Sequence, residues 1–372
     1  MTNYITFGIF LTIVISITVG MVRYFIVSLK KAFPVLALHP FILNILYLPV
    51  PLAFFLFHDR SLKGSVHQTF FSYALYIYFT FLFVFTIYGL FFELMIFLRR
   101  RDFRKRRVMF IILSLISSYT VAAGSYLANY IRVEELDIYS AKITKPVKIV
   151  QLSDIHFSSM VGTGFAEKIR DITNSLNPDA VIVTGDFIDH WIEDPEKISE
   201  IMRSVNAPLG KFAISGNHEF INGFENAVEY IKWSGFAFLY TGNTGLNDEI
   251  SLVSVTDRTA ERFGLEVPDD IEPLRNAVNS KFVIFLKHQP SVSDGAEEYF
   301  DLMLSGHTHA GQLFPFHFFV RTAFHYFSGT YHFGNGSILH VNRGTGTWGP
   351  SVRFGAMPEI TLITLLPENI EK

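Results

Sequence analysis

At residue 306 the chain reads Gly306-His307-Thr308-His309, two imidazoles two positions apart on a glycine-initiated turn. On an extended backbone such side chains point the same way, so the turn can aim two neutral nitrogens at one metal centre. Four other short polar motifs belong with it: Ser153-Asp154-Ile155-His156, Gly185-Asp186-Phe187-Ile188-Asp189, Gly216-Asn217-His218-Glu219 and Lys287-His288-Gln289-Pro290. Carboxylate, amide oxygen and imidazole together suit Mn, Fe or Zn. The chain has no cysteine, which excludes disulfides, thiolate sites and cysteine nucleophiles. Any transition metal must therefore be held by His, Asp, Glu or Asn. One carboxylate can bridge two cations about 3.5–4 Å apart, the spacing used for in-line attack on phosphorus.

Each motif follows an apolar β run, and those runs must position it. Strands are predicted at Lys148–Leu152, Ala180–Thr184, Lys211–Ser215, Glu249–Val255, Lys281–Leu286, Tyr299–Leu304, Ser337–Val341 and Glu359–Leu365. Helical patterns fall at Gly164–Leu176, Pro195–Val205, Ile221–Ser234, Ile271–Val278 and Val292–Tyr299, and Asn342–Gly355 is a glycine-rich loop. This alternation predicts an α/β layered domain. In such a sheet the C-terminal strand ends gather at one edge, where ligands bind.

The first third of the chain is of another kind. Of 372 residues 49% are hydrophobic and 17% charged, and the apolar excess lies before residue 140. Residues 1–140 carry 13 Lys and Arg against 6 Asp and Glu, whereas the rest carries 18 against 28. A basic apolar part joined to an acidic part predicts a membrane domain followed by a catalytic one. Ile5–Leu29 can cross ~30 Å of hydrocarbon, lacks a basic start, and is expected to be retained. Val35–Phe57 is a second run, interrupted by Pro40, Pro49 and Pro51, and Gln68–Leu98 is a third. Seven positive charges between Arg99 and Arg107 read as cytoplasmic. Met109–Tyr130 either crosses or lies in the interface, which decides the side of the catalytic domain. The expected organisation is a transmembrane domain over 1–130 with three or four helices, a linker over 131–146 that reads as a strand, and a catalytic domain over 147–372.

In order, D-x-H, GDxxD, GNH followed by an acid, a strand-terminal His and GHxH resemble the calcineurin-like metallophosphoesterase family across roughly residues 147–366. The resemblance implies a β-sandwich flanked by helices and a site for two divalent ions, manganese before iron or zinc. It implies a first ion held by Asp154, His156, Asp186 and His309, and a second by Asp186, Asn217, His288 and His307, with Asp186 bridging and catalytic. His218 would donate to the scissile phosphate or leaving oxygen, and a bridging hydroxide would be the nucleophile. Asp189 would orient a ligand; His190 stands where an Arg is commonest.

The membrane part predicts a lipid or lipid-linked substrate and no nucleic acid, since tethering concentrates an enzyme on membrane-borne molecules. Leu313–Phe333, rich in aromatics, suggests a surface dipping into the headgroup region or an acyl-chain groove, with Phe314, Phe316, Phe318 and Phe319 as candidate contacts. Arg343 and Arg353 are candidates for a second phosphate. The layout also resembles the membrane-bound bacterial members of the family, among them the UDP-2,3-diacylglucosamine pyrophosphohydrolases of lipid A synthesis. That resemblance implies a multi-pass protein of the bacterial inner membrane, a cytoplasmic active site, and cleavage to lipid X and UMP. The alternative is an extracytoplasmic phosphoesterase acting on phospholipid, lipid A headgroups or wall polymers.

Overall fold

The computed structural model describes residues 2–35, 43–52, 66–98, 105–189, 192, 194–267, 269–277 and 281–368. The chain divides into two units, Met1–Gly124 and Ser125–Lys372.

The first unit contains α1 (Thr2–Ala32), α2 (Val66–Leu98) and α3 (Arg106–Leu127). Within them Thr12–Ala32, Phe70–Leu98 and Arg106–Leu127 are long and apolar enough to cross a membrane. Aromatic packing joins them: Phe25 lies 4.9 Å from Phe85 and 5.4 Å from Phe110, ring centre to ring centre. Their outer faces expose Ile17, Phe70, Phe97 and Leu115. Such contiguous apolar surface is satisfied by lipid rather than water. The segment that read ambiguously, Met109–Tyr130, is an unbroken helix as far as Leu127. Its Ser117 and Thr120 are buried, and the Tyr88 and Thr120 hydroxyls are 3.2 Å apart, so polar residues turn to neighbouring helices. Of the second apolar run, 36–42 and 53–57 lie outside the described residues; between them is one 3-10 turn, Ile45–Tyr47. Residues 99–104 of the basic stretch also lie outside the described residues.

The second unit is a sandwich of two six-stranded sheets. One has the order β1 (Arg132–Ser140), β12 (Glu359–Pro367), β2 (Val147–Leu152), β3 (Ala180–Val183), β4 (Gly210–Ala213), β5 (Ala237–Phe238). The other runs β10 (Gly329–His332), β11 (Ile338–Val341), β9 (Leu302–Ser305), β8 (Phe282–Leu286), β7 (Ile250–Ser254), β6 (Gly242–Gly245). Period-two alternation divides the side chains between layers. Ile149, Ile182, Ile284, Leu304 and Ile363 fill the space between the sheets. Val150, Leu152, Val181 and Val183 face a second core with α4 (Thr163–Ser175), α5 (Pro195–Arg203) and α7 (Phe224–Trp233). The amphipathic period of α4 buries Ala166, Ile169 and Thr173, and Asp194 caps α5 by accepting from the Lys197 amide. Truncating a fully buried isoleucine such as Ile182 to Ala would destabilise the sandwich by about 2–5 kcal/mol.

Several sequence expectations change. The linker strand read over 131–146 belongs to the sandwich: β1 pairs in parallel with β12 from Arg132–Glu359 to Ser140–Pro367. Its Glu134, Glu135 and Asp137 suit the edge of a sheet. The predicted helix Ile221–Ser234 begins later, as α7, and a separate short helix, α6 (Asn217–Ile221), precedes it across Gly223 with φ 103°. Tyr299 closes a 3-10 turn instead of opening a strand. The helices α8 (Ile271–Arg275) and α9 (Phe316–Ala323) complete the domain; α9 stands where only an aromatic surface was expected.

Candidate metal centre

Strands β2, β3, β4, β8 and β9 run parallel within their sheets, and their C-terminal ends carry the five polar motifs. The two sheets meet at this rim. His288, after β8, places Nδ1 2.7 Å from the Thr184 carbonyl after β3, and Gln151 donates to both Thr184 Oγ1 and the Ser305 carbonyl at 3.0 Å.

The turns themselves are strained. Asp154, His156, Asp186, His307 and His309 all have φ between 48° and 71°, the left-handed region that side chains with a Cβ avoid. Each such residue costs about 1–2 kcal/mol. The backbone at Gly306–His309 is therefore not extended, contrary to the simple i, i+2 expectation. The two imidazoles diverge: His307 Nδ1 lies 3.1 Å from His288 Nε2, whereas His309 Nε2 lies 3.1 Å from His156 Nε2. Glycines make room for this crowding. A Cβ on Gly216 would stand 2.2 Å from Asp186 Oδ1, and one on Gly306 2.2 Å from Asp154 Oδ2.

Three donor groups meet among the described residues, one of them His156 with Asp189 and His218 and the other two the expected sets. In the first expected set, Asp154, His156 and His309 offer atoms within 4.8 Å of one another; in the second, Asp186, His288 and His307 do the same. Asn217 Oδ1 joins the second set at 3.2 Å from His288 Nε2. Asp186 stands between them, its Oδ2 3.6 Å from His156 Nε2 and 3.3 Å from His288 Nε2. The structure thus brings together all seven residues singled out as metal donors.

These atoms are mostly acceptors facing acceptors. The His288 Nδ1 proton goes to the Thr184 carbonyl, so Nε2 turns toward two oxygens and another ring nitrogen. Burial pushes the His288 pKa down, yet Asp186 outweighs it and holds the ring well above its usual range. A proton there is what a divalent cation would replace. His156, buried and facing other rings, is lowered to about 3. An oxygen- and imidazole-lined cluster of this kind fits one or two divalent ions of the Mn, Fe or Zn type.

Around the donors are residues that position them. His218 Nδ1 lies 3.1 Å from Asp189 Oδ1, and the other Asp189 oxygen lies 3.8 Å from His156 Nδ1. Burial pulls the His218 pKa down, but the hydrogen bond to Asp189 and the charge of Asp186 raise it to about 9. The two carboxylates thus favour the protonated form of His218. Glu219, which the sequence offered only as the end of a motif, is fully buried and accepts from the amides of Gly216, Asp186 and Phe187 at 2.6, 3.0 and 2.8 Å. It locks two of the turns to each other. The acid after GNH was its signal.

The two arginines do not face the cluster as phosphate contacts. Arg353 is fully buried, raises two nitrogens to the carbonyl of Gly346 and places Nη2 3.0 Å from His309 Nδ1. Arg343 is paired with Glu134 and Glu359. Phe314 is half-buried, and Phe316, Phe318 and Phe319 are exposed on or beside α9. His190 lies outside the described residues.

Comparison with known proteins agrees with this geometry. A calcineurin-like phosphoesterase profile matches residues 147–311. Over 250 residues the chain is 32% identical to a metallophosphoesterase of Aquifex aeolicus, covering 66% of this chain and 96% of that protein. It is 34% identical over 241 residues to a metallophosphoesterase of Helicobacter pylori, covering 64% and 65% of the two chains. A Danio rerio transmembrane protein with a metallophosphoesterase domain is 28% identical over 281 residues, covering 71% of this chain and 63% of that one. The chain belongs to the calcineurin-like metallophosphoesterases, a family of phosphoester hydrolases, and carries membrane-type helices ahead of that domain.

Proposed function

We propose that the chain is a membrane-anchored dinuclear-metal phosphohydrolase acting on a lipid-linked phosphoester. The observation that carries the catalytic reading is the pair of acceptor-rich donor sets with Asp186 between them. When bound, two divalent ions would supply positive charge for the phosphoryl oxygens and a reactive water near neutral pH. Asp154, His156, Asp186 and His309 would hold one, and Asp186, Asn217, His288 and His307 the other, with manganese the first metal to try. His218, kept protonated by Asp189, hydrogen-bonds a phosphoryl oxygen or gives its proton to the leaving oxygen.

The membrane helices support a lipid substrate, and α3 supports a side. A 22-residue apolar helix begins within the last two of a stretch of seven positive charges, Arg106 and Arg107. With that stretch cytoplasmic, one crossing by α3 puts the catalytic domain outside, whatever the earlier helices do. This favours phospholipid, lipid A headgroups or wall phosphodiesters. Hydrolysis of UDP-2,3-diacylglucosamine to lipid X and UMP is the narrower reading for a domain facing the cytoplasm, where α3 would lie along the inner membrane surface.

Purified full-length chain supplied with Mn is expected to hydrolyse bis-p-nitrophenyl phosphate and at least one lipid phosphoester. Lack of both activities, with metal bound, would end the catalytic reading. Alkaline phosphatase fused after Lys142 separates the sides: it is active if the domain is exported, and its inactivity would return the domain to the cytoplasm and favour the sugar nucleotide.

A further inference from the structure

We propose that α9 and Trp348 form an interfacial element that holds the rim of the metal centre against the bilayer in which the chain's own helices sit. The proposal rests on the lipid-substrate reading and says how such a substrate reaches the site.

Helix α9 buries none of its side chains. Phe316, Phe318 and Phe319 are 44%, 59% and 66% exposed, and Trp348 is 57% exposed. Large rings left in water are unfavourable in proportion to their apolar area, and clustered ones mark a contact surface. The helix is fastened to the site. A Cβ on Gly311 would stand 2.3 Å from the His317 Cα, so the start of α9 packs hard on the turn bearing His307 and His309. Beyond its other end, the Phe324 ring lies 5.1 Å from the His307 ring. Trp348 is fixed separately. Its amide and carbonyl bond the Gln312 side chain at 3.0 and 2.8 Å, and its ring lies 6.2 Å from His218. The exposed aromatics are therefore set on the same backbone that sets the metal donors.

The composition and the tether identify the occupant. The helix FHFFVRTA carries aromatics and Arg321 but no acidic residue, as helices at a lipid headgroup boundary do. Four residues separate Leu127, the end of α3, from Arg132, the start of β1. That stretch reaches at most about 18 Å, so the domain cannot leave the neighbourhood of a membrane crossed by α3. A soluble protein or a second copy of the chain could cover aromatic rings, but neither is held within reach in this way. A lipid phosphoester at headgroup depth then meets the metal centre without leaving the bilayer.

The test uses the full chain in vesicles of phosphatidylcholine and phosphatidylglycerol, with Trp191→Phe and Trp233→Phe leaving Trp348 as the only tryptophan. Lipid brominated high on the acyl chain is expected to quench its emission by about twofold or more, as for a ring at the headgroup boundary. Unquenched, water-like emission would overturn the proposal. A photoreactive benzophenone in place of Phe318 is expected to label lipid; labelling of a second copy or of another protein would overturn it. In the triple variant F316S/F318S/F319S, kcat/KM on a vesicle-borne phosphoester should fall about tenfold relative to kcat/KM on p-nitrophenyl phosphate. An equal fall on both substrates would reduce the helix to a structural support. Quenching is read without turnover, so failure to hydrolyse any phosphoester would count against the catalytic reading alone.

Discussion

The two halves of the metal centre are both built on Asp and His and are held from behind by different means. In the His288 half the supporting partner is backbone: the Thr184 carbonyl accepts from His288 Nδ1 at 2.7 Å. In the His309 half it is a side chain that only donates: Arg353, 44 positions further along, places Nη2 3.0 Å from His309 Nδ1 and fixes the backbone behind the ring by donating to the carbonyls of Arg343, Gly344 and Gly346. Arg353 also gathers the glycine-rich loop, which is bonded along the first motif through Thr345 N to the Ser153 carbonyl and Gly346 N to the Asp154 carbonyl. A backbone support survives any substitution that preserves the fold. A side-chain support can be removed by one. The halves should therefore respond differently to mutation away from the donors themselves.

The largest expected effect falls on the residue the halves share. Asp186→Ala should lower Mn-dependent hydrolysis by about a thousandfold or more, because both ions lose a donor at once. Metal analysis of the purified variant checks this, with both ions expected to be depleted. Changing one donor per half comes next. His156→Ala and His288→Ala should each reduce bound metal by about half, and electron paramagnetic resonance of Mn-loaded samples should show the spin coupling of a close pair lost in both.

Arg353→Met sharpens the contrast more directly. It should weaken the first-half ion by about 10–100-fold and leave the second nearly untouched, measured by metal titration. It also leaves the Arg343 and Gly346 carbonyls without the donor Arg353 supplies, so thermal stability should drop by about 2–4 kcal/mol. Arg353→Lys should recover part of both losses. If both ions weaken equally, the asymmetry is wrong.

The smallest effect lies further back. Burial raises the Glu359 pKa, but His340 and Arg343 outweigh it and hold the carboxyl at about 2. A depressed carboxyl stabilises the fold above its unfolded pKa and stops doing so as pH falls through the folded one. Stability should thus decline from about pH 4.5 towards pH 2, by on the order of 2–3 kcal/mol, and Glu359→Gln should flatten that slope in acid unfolding curves. Metal binding at neutral pH by the second half is the control.

Much of the domain was legible because its strands are short Val/Ile-rich runs that end in chemistry. The ends of β2, β3, β4, β8 and β9 could be read from such runs followed by Asp, Asn or His. What escaped is what lies at edges or depends on partners. β1 could be read as a strand, but its place in the sheet comes only from pairing with β12. β5, β6 and β10 are two to four residues long, too short to show a period. α9 sits in a run of aromatics with no helical alternation to expose it. Arg353 looked like a phosphate contact because an isolated arginine in a glycine-rich loop gives no sign of facing inward.

Local sequence alone determined which atoms could bind a cation, because residue type fixes donor chemistry, and it showed which stretches are long and apolar enough to cross a bilayer. The tertiary structure decided which donor faces which. His307 and His309 separate into different sets because left-handed turns rotate their side chains apart. Asp186 comes between those sets, and Arg353 comes behind one of them, only because two sheets bring distant strand ends to a common rim.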